Sequence, residues 1–489
     1  MTLTELLLLA MLFGVGYCGT SALAGPERVL RTLAGAFPMG CCFWAVCVFL
    51  IAALPIPSKD VFGMNLSASL LLFAGIAVVS LLFIARQGDT LLRFLLPALP
   101  ALVVLLFLYW LFFWANISII TADSLSHIHP QRGFESMKSG RAFNQTLAAL
   151  ASLAGQDRYF FPFHPLFFVS LVVLMGECIY HEITSAGTTP GLALSFAFAG
   201  PILLASTHMA SIQMFYVNNH MLVATMICLA LSLLLGKNNQ SQCVEVPWPL
   251  AALAVIAVTP LSLLRLEGQF VGIILLVVML GRVGVDRLVR VRALLLYLLL
   301  TAPVLLYLIA ISIDGGKTDA MHLGVMLLAT VLLPLFFYPQ KPAFLGHLQD
   351  NAGKYALLCL ILVVSAFLYL RLDKMVYRLG WVIHNAFDVS HWGFAPQVLI
   401  FTIFVLLVVR AMSGYATMPA NLGRIDSLLI FSIAALLSIV FLTYFHGARL
   451  GWSSSQNRML FHFFPAIILW VTIQAGIGFA RPAAALHTQ

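Results

Sequence analysis

The chain has 489 residues, of which 62% are hydrophobic and only 9% charged, with a formal net charge of +8. Soluble domains carry about 25% charged residues, so no soluble fold of this size could hide so much apolar surface, and the solvent must be lipid. No polar stretch is long enough for a separate soluble domain, and no basic run is interleaved with aromatics. Nucleic acid is therefore set aside as a partner, and the positive balance is read as Lys and Arg anchoring loops at a membrane face.

The first apolar run, 1–24, lacks a basic leader and reads as a span rather than a cleaved signal peptide. A helix needs about 20 apolar residues to cross the hydrocarbon core, and the longer runs here exceed what a barrel strand uses. The sequence predicts an all-α fold, a polytopic transmembrane helical bundle of about fifteen spans. They lie near 3–24, 40–56, 66–85, 94–114, 164–183, 191–208, 217–235, 249–264, 268–281, 293–313, 321–338, 355–370, 396–412, 427–445 and 460–480. Three regions follow: N-terminal helices over 1–93, a core over 94–313 with a long loop at 115–163, and C-terminal helices over 314–489 with a second long loop at 371–395. The eight cysteines are scattered, mostly inside spans, without CxxC or metal-ligand spacing, and read as buried thiols.

Basic residues cluster in alternate short loops: Arg28 and Arg31, Arg86 and Arg93, Lys237, Arg282 to Arg292, Lys341 and Lys354, Arg410 and Arg424, and Arg481. The positive-inside rule then puts the N-terminus outside, the C-terminus in the cytoplasm and both long loops on the outer face. No internal repeat and no matching pair of Gly/Pro-broken spans is visible, which counts against a secondary transporter.

The first long loop carries Asp123-Ser124-Leu125-Ser126-His127 just beyond a span. A helical stretch, 133–155, follows, with Phe143, Leu147, Leu150 and Ala154 on one stripe, a pattern suited to a helix lying on the membrane surface. The loop ends in Tyr159-Phe160-Phe161-Pro162-Phe163-His164-Pro165-Leu166 at the next span. Two further stretches combine polar residues with the head of a span. They are Gln213-Met214-Phe215-Tyr216-Val217-Asn218-Asn219-His220 and Gln456-Asn457-Arg458-Met459-Leu460-Phe461-His462-Phe463-Phe464-Pro465.

This order resembles the GT-C superfamily of membrane glycosyltransferases, over about 94–236 and in the short C-terminal motif. The resemblance implies a GT-C-like core over 94–313 and a sugar donor linked to polyprenyl phosphate. It implies that Asp123 is the catalytic base, the role a carboxylate fills when an acceptor hydroxyl loses its proton. His127, one turn along, would orient the acid or contact a phosphate, and His164 would line the same site. His220 stands where the family's second carboxylate is expected, next to Asn219, so a divalent metal stays an open expectation. Arg458 would meet the lipid phosphate, because guanidinium is always charged and binds phosphate bidentately. Met459 replaces the usual Tyr of that motif.

The second long loop mixes cations and aromatics at helical spacing. It reads as an interfacial helix or as a lid over a lipid-phosphate headgroup, with Lys374 and Arg378 as its cations and Trp381 stacking on a sugar. Glu177, His181 and Glu182 mark the inner part of one span, where ionisable groups are costly and often functional. Asn-x-Ser/Thr triplets occur at Asn65, Asn116 and Asn144 and arise readily by chance.

The leading expectation is a bacterial inner-membrane glycosyltransferase acting on the outer face. Its partners would be a polyprenyl-phosphate-linked sugar, a lipid-linked or envelope glycan acceptor, and membrane lipids. The alternatives are a transporter or flippase of lipid-linked saccharides and a lipid-linked glycan polymerase.

Overall fold

The computed structural model describes residues 3–24, 28–52, 65–86, 142–152, 163–216, 219–235, 246–264, 266–281, 285–313, 372–412, 421–442 and 455–485, with isolated positions between them. Every regular element among these residues is a helix. Five helices are long and apolar enough to cross a membrane: Val29–Ile51, Leu66–Arg86, His164–Ser185, Ala395–Met412 and Arg458–Phe479. A bent pair, Pro190–Ala205 with His208–Phe215, brings that to six if it is one span. Such helices are compatible with a membrane-embedded protein. The predicted spans 94–114, 321–338 and 355–370 fall outside the continuously described residues.

Helices α1 (Leu3–Ala24) and α2 (Val29–Ala52) form an antiparallel hairpin. Gly16 and Gly40 make it close: a Cβ at Gly16 would collide with the Ala36 carbonyl, and one at Gly40 with that of Leu12. Small residues of this kind let membrane helices approach backbone to backbone. The span predicted at 40–56 is corrected here, since α2 starts at Val29 and carries Pro38 inside it. Arg28 and Arg31, read from sequence as loop cations, are buried at its start because Glu177 and a helix carbonyl receive them.

Helix α3 (Leu66–Arg86) follows, largely exposed along its length. Next come α4 (Ala142–Ser152), α5 (Phe163–Ser185), α6 (Pro190–Ala205) and α7 (His208–Phe215). The span predicted at 191–208 is broken: α6 and α7 meet at 74°. Thr207 makes the corner, its Oγ1 accepting from the Ala210 amide at 3.1 Å as an N-cap. Helix α8 (His220–Leu234) is buried at every residue and apolar all round, as a central bundle helix must be. It packs against α2, α5 and helices α9 (Trp248–Val258), α11 (Leu266–Leu280) and α17 (Ser455–Ala485), while the short α10 (Leu261–Leu264) links α9 to α11.

Helices α12 (Arg287–Ile313), α13 (Leu372–Phe387), α14 (Val389–Trp392), α15 (Ala395–Met412) and α16 (Asn421–Leu442) complete the described chain. A bidentate ion pair braces the last three long helices. Arg410 donates to both Asp426 oxygens, at 2.7 and 2.6 Å, and Trp470 and Gln474 of α17 also donate to Asp426. Charge-assisted fork geometry of this kind fixes orientation as well as distance.

The loop helix expected over 133–155 is a second correction. Helix α4 does not lie on a surface. Phe143, Asn144, Thr146, Leu147, Leu150 and both intervening alanines are buried, and α4 packs on α1, α2 and α10. Trp44 of α2 donates its indole N–H to the Thr146 carbonyl at 2.7 Å. The reason is in the composition of the helix. Flanking its apolar stripe stand Asn144, Thr146 and the alanines Ala148 and Ala149, short side chains that fit between helices.

Candidate functional site

The polar residues singled out at 213–220 and 456–465 meet at one end of the bundle. Helix α8 starts there, with Asn219 as its N-cap residue. Asn219 is 2% exposed and its side chain is used on both sides. Its Oδ1 accepts from Asn144 Nδ2 at 2.6 Å, and its Nδ2 donates to the Leu264 carbonyl at 2.7 Å. One asparagine thus joins α4, α8 and α10. The Asn144 triplet is no accessible modification site, because Asn144 is 0% exposed. Asn65 instead caps α3, its Oδ1 accepting from the Ala68 amide at 3.0 Å.

His220 follows in the first turn of α8. Its Nδ1 lies 2.7 Å from Nε2 of His462 on α17, and the two rings stack with centroids 4.9 Å apart and planes 26° apart. One ring must donate and the other accept, so the contact fixes the tautomer of each relative to the other.

Arg458 lies one helical turn before His462, on the same face of α17. It is 8% exposed. Its Nη1 donates to the Tyr216 hydroxyl at 3.4 Å, and its Cζ stands 5.7 Å from the centre of that ring, within cation–π reach. Tyr216 ends α7 and leads into α8, so Arg458–Tyr216 and His462–His220 are two parallel ties between the same segments. His164 heads α5 and is buried. Helix α5 is held beside α8 by Thr225 Oγ1, which donates to the Phe167 carbonyl at 3.0 Å.

The second loop closes over this end. Helix α13 packs on α17, and α14 packs on α7. Trp392 is buried with its ring centroid 4.6 Å from that of Phe464. Outward from the bundle, Tyr377, Trp381 and His384 form an edge-to-face ladder along α13, with centroids 5.8 and 6.3 Å apart. Lys374 and Arg378 sit on α13, with side chains outside the described residues. Asp388 caps α14, with the Ser390 hydroxyl at 2.7 Å and the Ser390 amide at 2.9 Å both donating to Oδ1. These bonds, the hydroxyl first, hold its carboxyl below the usual range, and His391 and His384 add to the effect. Gly393, at φ 59°, makes the joint from α14 to α15 in a conformation few other residues adopt.

Of the expected site residues, Asn219, His220 and Arg458 come together here, and His164 heads a neighbouring helix at the same end. Asp123 and His127 lie outside the described residues, as does Asn218. Among the described residues no three metal-ligating side chains converge, and His220 spends its Nδ1 on His462. Sequence reasoning missed His462 and Asn144 as site members. The four-residue spacing of Arg458 and His462 could have found the first, whereas nothing local could have found the second.

No protein-family model matches the chain, and neither a curated protein nor a solved structure does.

Proposed function

We propose that the chain is a GT-C-like glycosyltransferase of a bacterial plasma membrane, with about fifteen spans, its N-terminus and both long loops outside and its C-terminus cytoplasmic. It moves a sugar from a polyprenyl-phosphate donor to an acceptor hydroxyl of a lipid-linked or envelope glycan. One observation carries this reading. The two motif stretches lie 242 residues apart in sequence, yet they cross-link through Arg458–Tyr216 and His462–His220 at the head of an apolar helix. A cation there sits where a lipid phosphate would rest, its tail among apolar helices and its charge at the interface.

In the proposed step Asp123 takes the proton from the acceptor hydroxyl as that oxygen bonds to the anomeric carbon. The bond from that carbon to the phosphate oxygen breaks, and its electron pair leaves on the polyprenyl phosphate. Arg458 meets the growing phosphate charge, and donors aimed at developing charge act on the chemical step itself. Helix α13 and Trp392 cover this end and limit water.

A second reading, a transporter of lipid-linked saccharides, is favoured by a buried charged cluster at the other end of the bundle, Arg28 with Glu177 and His181. The two readings separate in an assay of purified protein with a panel of polyprenyl-phosphate sugars and glycan acceptors. Covalent transfer supports the transferase. Movement of intact lipid-linked sugar across a vesicle membrane, without transfer, supports the transporter.

A further inference from the structure

At the end of the bundle opposite the His220–His462 pair, α2, α5 and α8 enclose a charged chamber. Arg28 enters from the residue before α2 and Arg31 from its first turn, Glu177, His181 and Glu182 from the last turns of α5, and Ser232 from the end of α8. Arg28 Nε stands 3.9 Å from Glu177 Oε1, an ion pair too long for a hydrogen bond. Arg28 also donates to His181 Nδ1, and Arg31 Nη1 to the Ser232 carbonyl at 3.4 Å. A guanidinium only donates, so His181 must present a lone pair at Nδ1.

The chamber nevertheless leaves hydrogen-bonding groups over. Arg28 Nη1 and Arg31 Nε are buried donors without an acceptor, and Glu177 Oε2 is a buried acceptor without a donor. The side chains of Arg28 and Glu177 are 6% and 10% exposed, and Arg31 is 5% exposed. Buried polar groups are nearly always satisfied, so three orphans in one place point to a missing partner. That partner has to accept from two guanidinium groups and donate to a carboxylate. It should carry no net charge, because two arginines and two glutamates already balance. It arrives past His181, which is partly exposed, and Ser185, which is exposed, while Glu177 lies deeper. It also lies where α2 begins and α5 ends, the level at which a lipid headgroup would meet two apolar helices.

We infer that this chamber binds a zwitterionic phospholipid headgroup in which a primary ammonium stands beside a phosphate. The phosphate accepts from Arg28 Nη1 and Arg31 Nε, and the ammonium donates to Glu177 Oε2. Phosphocholine has the same phosphate but no N–H to give. Phosphoglycerol carries a net negative charge that the two glutamates oppose. This inference stands apart from the transferase reading, because the chamber is at the other end of the helices, about 20 Å along α5 from His164.

The test is lipid retention by the full-length protein in nanodiscs holding equal amounts of phosphatidylethanolamine, phosphatidylcholine and phosphatidylglycerol, read by native mass spectrometry. Wild type should retain the ethanolamine lipid about tenfold over the other two. Glu177→Gln should lose the preference over choline. Arg31→Lys keeps the charge, lacks the Nε donor and is the safer variant for folding; it should lower ethanolamine-lipid retention roughly three- to tenfold. Equal retention of the three lipids by wild type, as expected if only water fills the chamber, overturns the inference. So does an unchanged preference in folded Glu177→Gln. Free O-phosphoethanolamine is the arm that identifies the source: protection against thermal unfolding equal to that given by the lipid overturns a membrane ligand in favour of a soluble one, and no protection supports the lipid.

Discussion

His220 Nδ1 lies 2.7 Å from Nε2 of His462, so two imidazoles from opposite halves of the chain share one hydrogen bond in the buried head of the bundle. That bond and the Arg458–Tyr216 contact tie the same two segments together one helical turn apart. The site is therefore braced independently of any ligand.

The brace predicts coupled stabilities. His462→Leu removes the partner of a buried ring nitrogen and should cost about 1–3 kcal/mol. His220→Leu in the His462→Leu background should cost clearly less than His220→Leu alone, with a coupling of about 0.5–3 kcal/mol. Thermal unfolding of the four proteins in one detergent measures it, and strictly additive losses would show that the rings do not depend on each other.

Asn219 should matter more than Asn144. Asn219→Ala removes both the bond from Asn144 and the bond to the Leu264 carbonyl, whereas Asn144→Ala removes only the first of this pair. The expected losses are about 2–4 and 1–2 kcal/mol, read by the same unfolding assay. Equal losses would mean that the bond to Leu264 contributes nothing.

Arg458→Lys keeps the charge but loses the planar fork, and should impair turnover more than stability. Arg458→Met should be worse in turnover, with folding largely kept because the aliphatic stem still packs. Wild-type turnover in a folded Arg458→Met protein would remove Arg458 from the chemistry. Normal turnover in Arg458→Lys would make it an interfacial anchor, since either cation can snorkel.

Asp388 carries a pH prediction. Its folded carboxyl lies below the ordinary range, so the cap's contribution is fully present above the unfolded value and is lost only as pH falls through the lower folded one. The α14 cap should therefore survive at pH values that protonate ordinary aspartates. In Ser390→Ala both the hydroxyl bond and part of this tolerance disappear, so the acid transition moves to higher pH. Trp392, packed on Phe464, is the natural fluorescence reporter, and an unchanged acid midpoint in Ser390→Ala would contradict the cap's role.

Much of the fold was legible because lipid imposes long apolar runs. The helices at 3–24, 66–86 and 395–412 fall within a residue or two of their predicted spans. Legibility fails where a tertiary partner changes what a residue means. Arg28 and Arg31 look like loop cations until Glu177 is placed beside them, and α2 therefore starts eleven residues earlier than its apolar run. Helix α4 has the stripe of a surface helix, yet its Asn144 side chain meets Asn219 and its backbone carbonyl at Thr146 accepts from Trp44, both in the interior. The corner at Thr207 is a local cap inside a run that reads as continuous. In the site, Arg458 and His220 were visible as polar residues heading apolar spans. The spacing of His462 from Arg458 marks it for the same face, but a histidine among phenylalanines gives no sign of which ring it meets 242 residues away.

The most direct measurement is single-turnover sugar transfer from a polyprenyl-phosphate donor by purified protein in nanodiscs, wild type against Asp123→Asn. Wild type should form the glycosidic product. The asparagine variant should fold and bind the donor while transferring about two to four orders of magnitude more slowly, the range for loss of a general base. Absence of product from every donor tested with wild type, or a near-native rate in Asp123→Asn, would contradict the proposed function.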